Sequence, residues 1–178
     1  MGVYQAIDRF PELPYFAIAV VYSMTHPIDI LLHVLSAAFI FMVSAVGLGL
    51  ILKVVLGTSR PTDYSHFSAF RYDVPSLHSL VSVGSIVFVY FVDPAYSIVV
   101  VPLGLLYTYS RLRLSVHTKT AVWAGALIGL IVGWVFGANV WNMEFLGLER
   151  TLTAMFFLVP VAFSISRILW IRSGRHLL

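Results

Sequence analysis

An apolar run from Ile28 to Leu56, ionisable only at Asp29, His33 and Lys53, constrains this chain more than any other feature. A bilayer's hydrocarbon core is filled by about 20 apolar residues in a helix, and this run exceeds that length. Similar runs follow at Leu77 to Val92, Ala95 to Tyr109, Thr120 to Val140 and Thr151 to Ile171. The composition agrees: the chain is 60% hydrophobic and 11% charged, against about 25% charged in soluble domains. The expectation is an all-α polytopic membrane helical bundle with five transmembrane helices. Residues 13–25 would form a short or interfacial sixth element, and residues 1–178 a single integral membrane domain. Pro11 and Pro14 break any helix before that element. Trp123, Trp134, Trp141 and Trp170 include interface anchors. Gly125, Gly129, Gly133 and Gly137 repeat every fourth residue, the mark of close helix contact. No cysteine is present, which excludes disulfides, thiolate metal sites and a cysteine nucleophile.

Two polar islands interrupt the apolar runs. The first, from Lys53 to Ser79, carries Lys53, Arg60, Arg71 and His78; the second, from Ser110 to Thr120, carries Arg111, Arg113, His117 and Lys119. Counting crossings puts both islands and the carboxyl terminus on one face. Cations outnumber the carboxylates Asp63 and Asp73 there, and arginine forks with lysine point charges suit a phosphate group. Backbone donors at a helix start after Pro75-Ser76 would add to such a cradle. Two histidines match a phosphoryl transfer in which one attacks and the other protonates the leaving oxygen. The carboxylates are too few to favour a magnesium site.

Lys53 and Arg60-Pro61, then Pro75-Ser76-Leu77-His78, then Ser110-Arg111 and His117 resemble the three-part signature of the type-2 phosphatidic acid phosphatase superfamily. That family includes membrane phosphatases of lipid phosphates and isoprenoid pyrophosphates, and the vanadium haloperoxidases. The haloperoxidase branch fits poorly because its members are soluble. The resemblance covers about residues 50 to 130. It implies that Lys53, Arg60 and Arg111 bind phosphate with Ser76, that His78 is the general acid, and that His117 forms a phosphohistidine. The implied activity is metal-independent hydrolysis of a lipid phosphate or isoprenoid (pyro)phosphate. It needs no cofactor, and its partner is a membrane lipid rather than nucleic acid.

Two positions depart from the family pattern. Leu77 stands where glycine is common, and Ala121 stands where an aspartate would orient the nucleophilic histidine. Asp63, Asp73, Thr118, Thr120 or a backbone carbonyl are the candidates for that role. A lipid head-group phosphotransferase and a catalytically impaired lipid-phosphate binder are therefore alternative readings. Arg71, Arg113 and Lys119 read as surface cations near head groups. His26, His33, His66 and His176 carry no assigned role, and Asp29 reads as an interfacial or capping residue. Under the positive-inside rule, Arg172 and Arg175 beside the islands, opposite a face carrying Asp93, Glu144 and Glu149, make the active face of this multi-pass protein cytoplasmic.

Overall fold

The computed structural model describes residues 13–60 and 72–172, with the side chains of 13, 14, 163, 164 and 167–172 outside that description. Asp63, His66 and Arg71, and beyond the last helix Arg175 and His176, lie outside the described residues, as does the Arg172 side chain. The described chain is all-helical: α1 (Leu13–Thr25), α2 (Ile28–Leu56), α3 (Leu77–Val92), α4 (Ser97–Arg113), α5 (Lys119–Ala138) and α6 (Glu149–Arg172). Its only extended pairing, among the described residues, is an isolated antiparallel bridge between Ser59 and Tyr72.

The expectation of five membrane-spanning helices is corrected. Among the described residues, two helices are long and apolar enough to cross a membrane, α2 with mean hydropathy 2.5 and α5 with 2.0. The runs at Leu77 to Val92 and Ala95 to Tyr109 do form helices, but α3 has 16 residues and α4 has 17. At 1.5 Å per residue each falls short of a hydrocarbon core of about 30 Å. Part of their apolarity faces protein, since Leu80, Val83 and Phe88 of α3 and Val100 and Tyr107 of α4 are buried, although Ile98 and Leu105 of α4 are exposed. The described part of α6, where the fifth span was expected, does not add a third.

The chain divides into two compact units, one of residues 1–39 with 145–178 and one of residues 40–144. In the first, Ser36 Oγ donates to the carbonyls of Leu32 at 2.7 Å and Glu149 at 3.0 Å. Phe16 packs against Phe156 and Phe157 with ring centroids 6.0 and 5.1 Å apart.

The second unit is built on glycine. A Cβ at Gly125, Gly129 or Gly133 would strike the carbonyl oxygens of Ser76, Leu80 and Gly84 in turn. The contacts advance by four residues on both helices, so α3 and α5 run parallel with their backbones touching. α4 returns antiparallel between them in sequence, with Gly104 set against Ser82 and Ile86 of α3. The starts of α3 and α5 and the end of α4 therefore share one end of the unit. Lys53, near the end of α2, joins that end through Gly49, which meets Leu77 and Leu80.

Gly129→Ala should lower stability by about 1–3 kcal/mol, since the obstacle is backbone and cannot rotate away. Gly47→Ala, with nothing within 4 Å of the added methyl, should leave it unchanged or raise it slightly. Thermal unfolding of both variants in detergent checks the contrast.

Candidate functional site

The shared end of the second unit brings the two polar islands together. α2 ends at Leu56, and the turn at Gly57, whose φ is +59°, reverses the chain. Residues 58–60 then run beside 72–74, where Asp73 N donates to Thr58 O at 2.8 Å and Val74 N to Thr58 Oγ1 at 3.0 Å. Lys53 Nζ donates to the carbonyls of Tyr72 at 2.7 Å and Asp73 at 2.9 Å. Arg60 Nε donates to the same Tyr72 carbonyl at 3.2 Å. The two-residue segment Tyr72–Asp73 is thus gripped by two of the three cations that the motif assigns to phosphate.

From the other island, α4 ends at Arg113 and Ser115 takes a left-handed φ of 53°, turning the chain inward to His117. His117 is 6% exposed and Asp73 1%. His117 Nδ1 lies 2.6 Å from Asp73 Oδ1. The second carboxylate oxygen accepts from Thr118 N at 3.2 Å and from Thr118 Oγ1 at 2.5 Å. Thr118 also caps α5, its Oγ1 accepting from Ala121 N at 3.2 Å. On the far side of the ring, Arg60 Nη2 donates to His117 Nε2 at 3.0 Å.

These partners define the tautomer. A neutral imidazole has one N–H and one lone pair. The carboxylate accepts a hydrogen bond from Nδ1–H, which leaves the Nε2 lone pair facing the guanidinium. Burial, then the positive charge of Arg60, holds the His117 pKa down to about 4 against the pull of Asp73. Burial alone would raise the Asp73 carboxyl, but hydrogen bonds from Thr118 and His117 outweigh it and keep the group below its usual range. The pair therefore stands as a carboxylate beside a neutral ring.

Ser76 stands at the position before α3 and is fully buried, with its N–H donating to Ala121 O at 2.9 Å and its hydroxyl accepting from Ser79 Oγ at 3.2 Å. His78 sits on the first turn of α3 and is partly exposed. Arg111 is 2% exposed, with Nε and Nη2 donating to Ser110 Oγ at 3.1 and 3.0 Å. It stands two turns beyond Gly104 on the antiparallel helix, level with the start of α3. Direct contacts thus join Lys53, Arg60 and His117 around Asp73, while Ser76, His78 and Arg111 belong to the adjoining helix ends. Arg113 and Lys119 are exposed.

The chemistry available is that of an anion site with a neutral imidazole at its centre. Lys53 and Arg60 bind the segment that carries Asp73, and Arg111 stands at the adjoining helix end. Among the described residues no group of three or more His, Asp or Glu side chains is placed to hold a metal ion. A separate cavity of about 280 Å³ in the other unit is lined by Asp29, Leu32, His33, Gly147, Glu149 and Arg150, with charges of both signs. Sequence reasoning counted Asp73 among several candidates to orient His117 and left it out of the site. Its separation from His117 along the chain hides the contact, and only the shared end of α3 and α5 reveals it.

Because the folded ring resists protonation, the unfolded state binds more protons once pH falls below 6.5, and stability should drop as pH goes from 6.5 to 4. Protonation of Asp73 continues the loss at lower pH. His117→Gln should flatten the first part of this profile in pH-dependent unfolding; an unchanged slope would contradict the buried neutral ring. In comparisons with known proteins, no family model matches the chain, and neither a curated protein nor a solved structure matches it.

Proposed function

We propose that this chain hydrolyses a phosphate or pyrophosphate ester carried by a membrane lipid, with His117 as the nucleophile. The observation that carries this reading is the bonding of one buried imidazole. Its Nδ1 is committed to Asp73 and its Nε2 lone pair is turned toward a guanidinium. A ring so held is a nucleophile at the nitrogen facing the cations. Arginine at that place is suited to a phosphoryl group, because its fork donates to two oxygens of an anion.

In the first step Nε2 attacks phosphorus, the P–N bond forms and the P–O bond to the lipid breaks. His78 supplies the proton that the leaving oxygen takes. In the second, water attacks the phosphohistidine, its proton returns to His78, the P–N bond breaks, and inorganic phosphate leaves with Nε2 restored. Arg60 and Arg111 neutralise charge on the phosphoryl oxygens through both steps. Entry of the anion draws Arg60 from Nε2, so the nucleophile is uncovered by the group it attacks.

A lipid substrate is supported by the surroundings of the site. Ile51, Val54, Val55 and Leu56, beside buried Lys53, are 62, 58, 73 and 51% exposed. On α5, Trp123 and Trp134 are exposed with Leu127, Leu130 and Ile131 between them. An apolar exterior around a buried polar end suits a substrate with an apolar tail and an anionic head. We assign the active end to the cytoplasmic side of a multi-pass membrane protein, because Arg111, Arg113 and Lys119 cluster at it. The chain has no native cysteine, so Lys119→Cys offers a single reporter. It should resist a membrane-impermeant maleimide in sealed right-side-out vesicles and react after permeabilisation; reaction before it reverses the orientation.

Purified protein should release phosphate from at least one member of a lipid phosphate panel in the presence of chelator. His117→Ala should abolish that release, and Arg111→Ala should weaken vanadate inhibition by about 1.5–3 kcal/mol. Full activity in His117→Ala would refute the nucleophile. Transfer of phosphate to an added alcohol in preference to water would make the enzyme a phosphotransferase, and folded protein that binds lipid phosphate without turnover would make it a binder.

A further inference from the structure

We infer that Asp73 is the positioning carboxylate of His117, and that Lys53 serves the reaction by anchoring the backbone of Asp73. This rests on the phosphatase reading and adds to it a source for the orienting group that Ala121 does not supply. The geometry is complete on both sides of the carboxylate. Oδ1 accepts a hydrogen bond from His117 Nδ1 at 2.6 Å, and Oδ2 accepts two from Thr118, the residue that caps α5. Ala121 is fully buried, and its carbonyl accepts the N–H of Ser76, the residue just before α3. The position four residues after the histidine is therefore spent on packing the two helix starts, while the carboxylate comes from the loop that leads into α3.

Lys53 completes the arrangement from behind. It is fully buried, and its Nζ donates to the carbonyls of Tyr72 and Asp73 rather than pointing at open solvent. Arg60 Nε holds the Tyr72 carbonyl too. Thr58 binds the N–H groups of Asp73 and Val74. Five hydrogen bonds to the backbone of residues 72–74 leave the Asp73 side chain little freedom about its own backbone. A carboxylate fixed in this way selects the tautomer of its partner ring and stabilises the positive charge that develops when Nε2 attacks. Replacing the comparable carboxylate of the serine-protease triad by its amide selects the wrong tautomer and costs orders of magnitude in rate. Lys53 thereby differs in role from Arg60 and Arg111: its loss would act on turnover through Asp73, where theirs would act on anion affinity.

Histidine-labelled protein in detergent, studied by proton–nitrogen NMR beside the chelated phosphate-release assay, tests this. Wild type should show a strongly downfield Nδ1 proton that is absent in His117→Gln and in Asp73→Asn. Asp73→Asn should lower kcat on the order of 10³-fold or more with KM little changed. Lys53→Met should lower kcat and broaden or shift the same proton while vanadate inhibition stays as in wild type. The wild-type spectrum needs no variant at Asp73, so a variant that fails to fold leaves the test standing. Active wild type lacking the proton, or an active Asp73→Asn, would overturn the role of Asp73. Weakened vanadate inhibition with unchanged kcat in Lys53→Met would return Lys53 to the phosphate. Wild type inactive on every lipid but showing the proton would instead sink the phosphatase reading, and the catalytic role with it.

Discussion

The backbone contact between α3 and α5 is the constraint from which the polar end follows. Three carbonyl oxygens of α3 occupy the places where side chains of Gly125, Gly129 and Gly133 would begin. Helices that touch at backbone distance have one register, because a shift of one residue would set a carbonyl against a side chain. That register sets Ser76 N against Ala121 O, and so aligns the segment before α3 with the segment before α5. Asp73 precedes one cap and His117 precedes the other. Their 2.6 Å contact is a downstream result of glycine packing well inside the unit.

Burial explains why this end holds so many hydrogen bonds. A buried charge without partners costs several kcal/mol, so Lys53, Asp73 and Arg111 can be kept there only with donors and acceptors around them. Backbone carbonyls serve Lys53, a cap threonine and an imidazole serve Asp73, and a serine hydroxyl serves Arg111. The polar groups are thus largely matched to one another. Among the described residues the guanidiniums of Arg60 and Arg111 stand at an end with one carboxylate, Asp73, and on the proposed reading the anion that joins them is the phosphate.

Parts of this were legible in the chain and parts were not, for identifiable reasons. The glycine repeat from Gly125 is readable because close helix contact leaves a four-residue period. The convergence of the two polar islands is readable from the order of helices and turns, since α3 and α4 reverse direction at Asp93-Pro94. Membrane crossings are overcounted because apolarity alone does not separate a helix facing lipid from one facing protein. Leu80, Val83 and Phe88 of α3 make the same run either way, and the helix is too short to span. The Asp73–His117 pair is unreadable because no local spacing encodes it: the motif directs attention to position 121, four residues along a helix, whereas the carboxylate arrives from another loop. Lys53 is placed correctly at the polar end, yet its bonds to two carbonyls could not be foreseen from a lysine near the end of an apolar run.

The hydrogen bond from Arg60 to His117 Nε2 has a consequence for discrimination among ligands. A guanidinium leaves an imidazole lone pair only for something that attracts it more, and an uncharged ester or alcohol of the same shape does not. Under the proposed reading the resting nucleophile is sheathed, and the charge of the arriving head group is what unsheathes it. Neutral lipids of the surrounding bilayer, present in vast excess, would then meet an imidazole that is chemically silent, and selectivity would be exercised before any fit to the tail is tried.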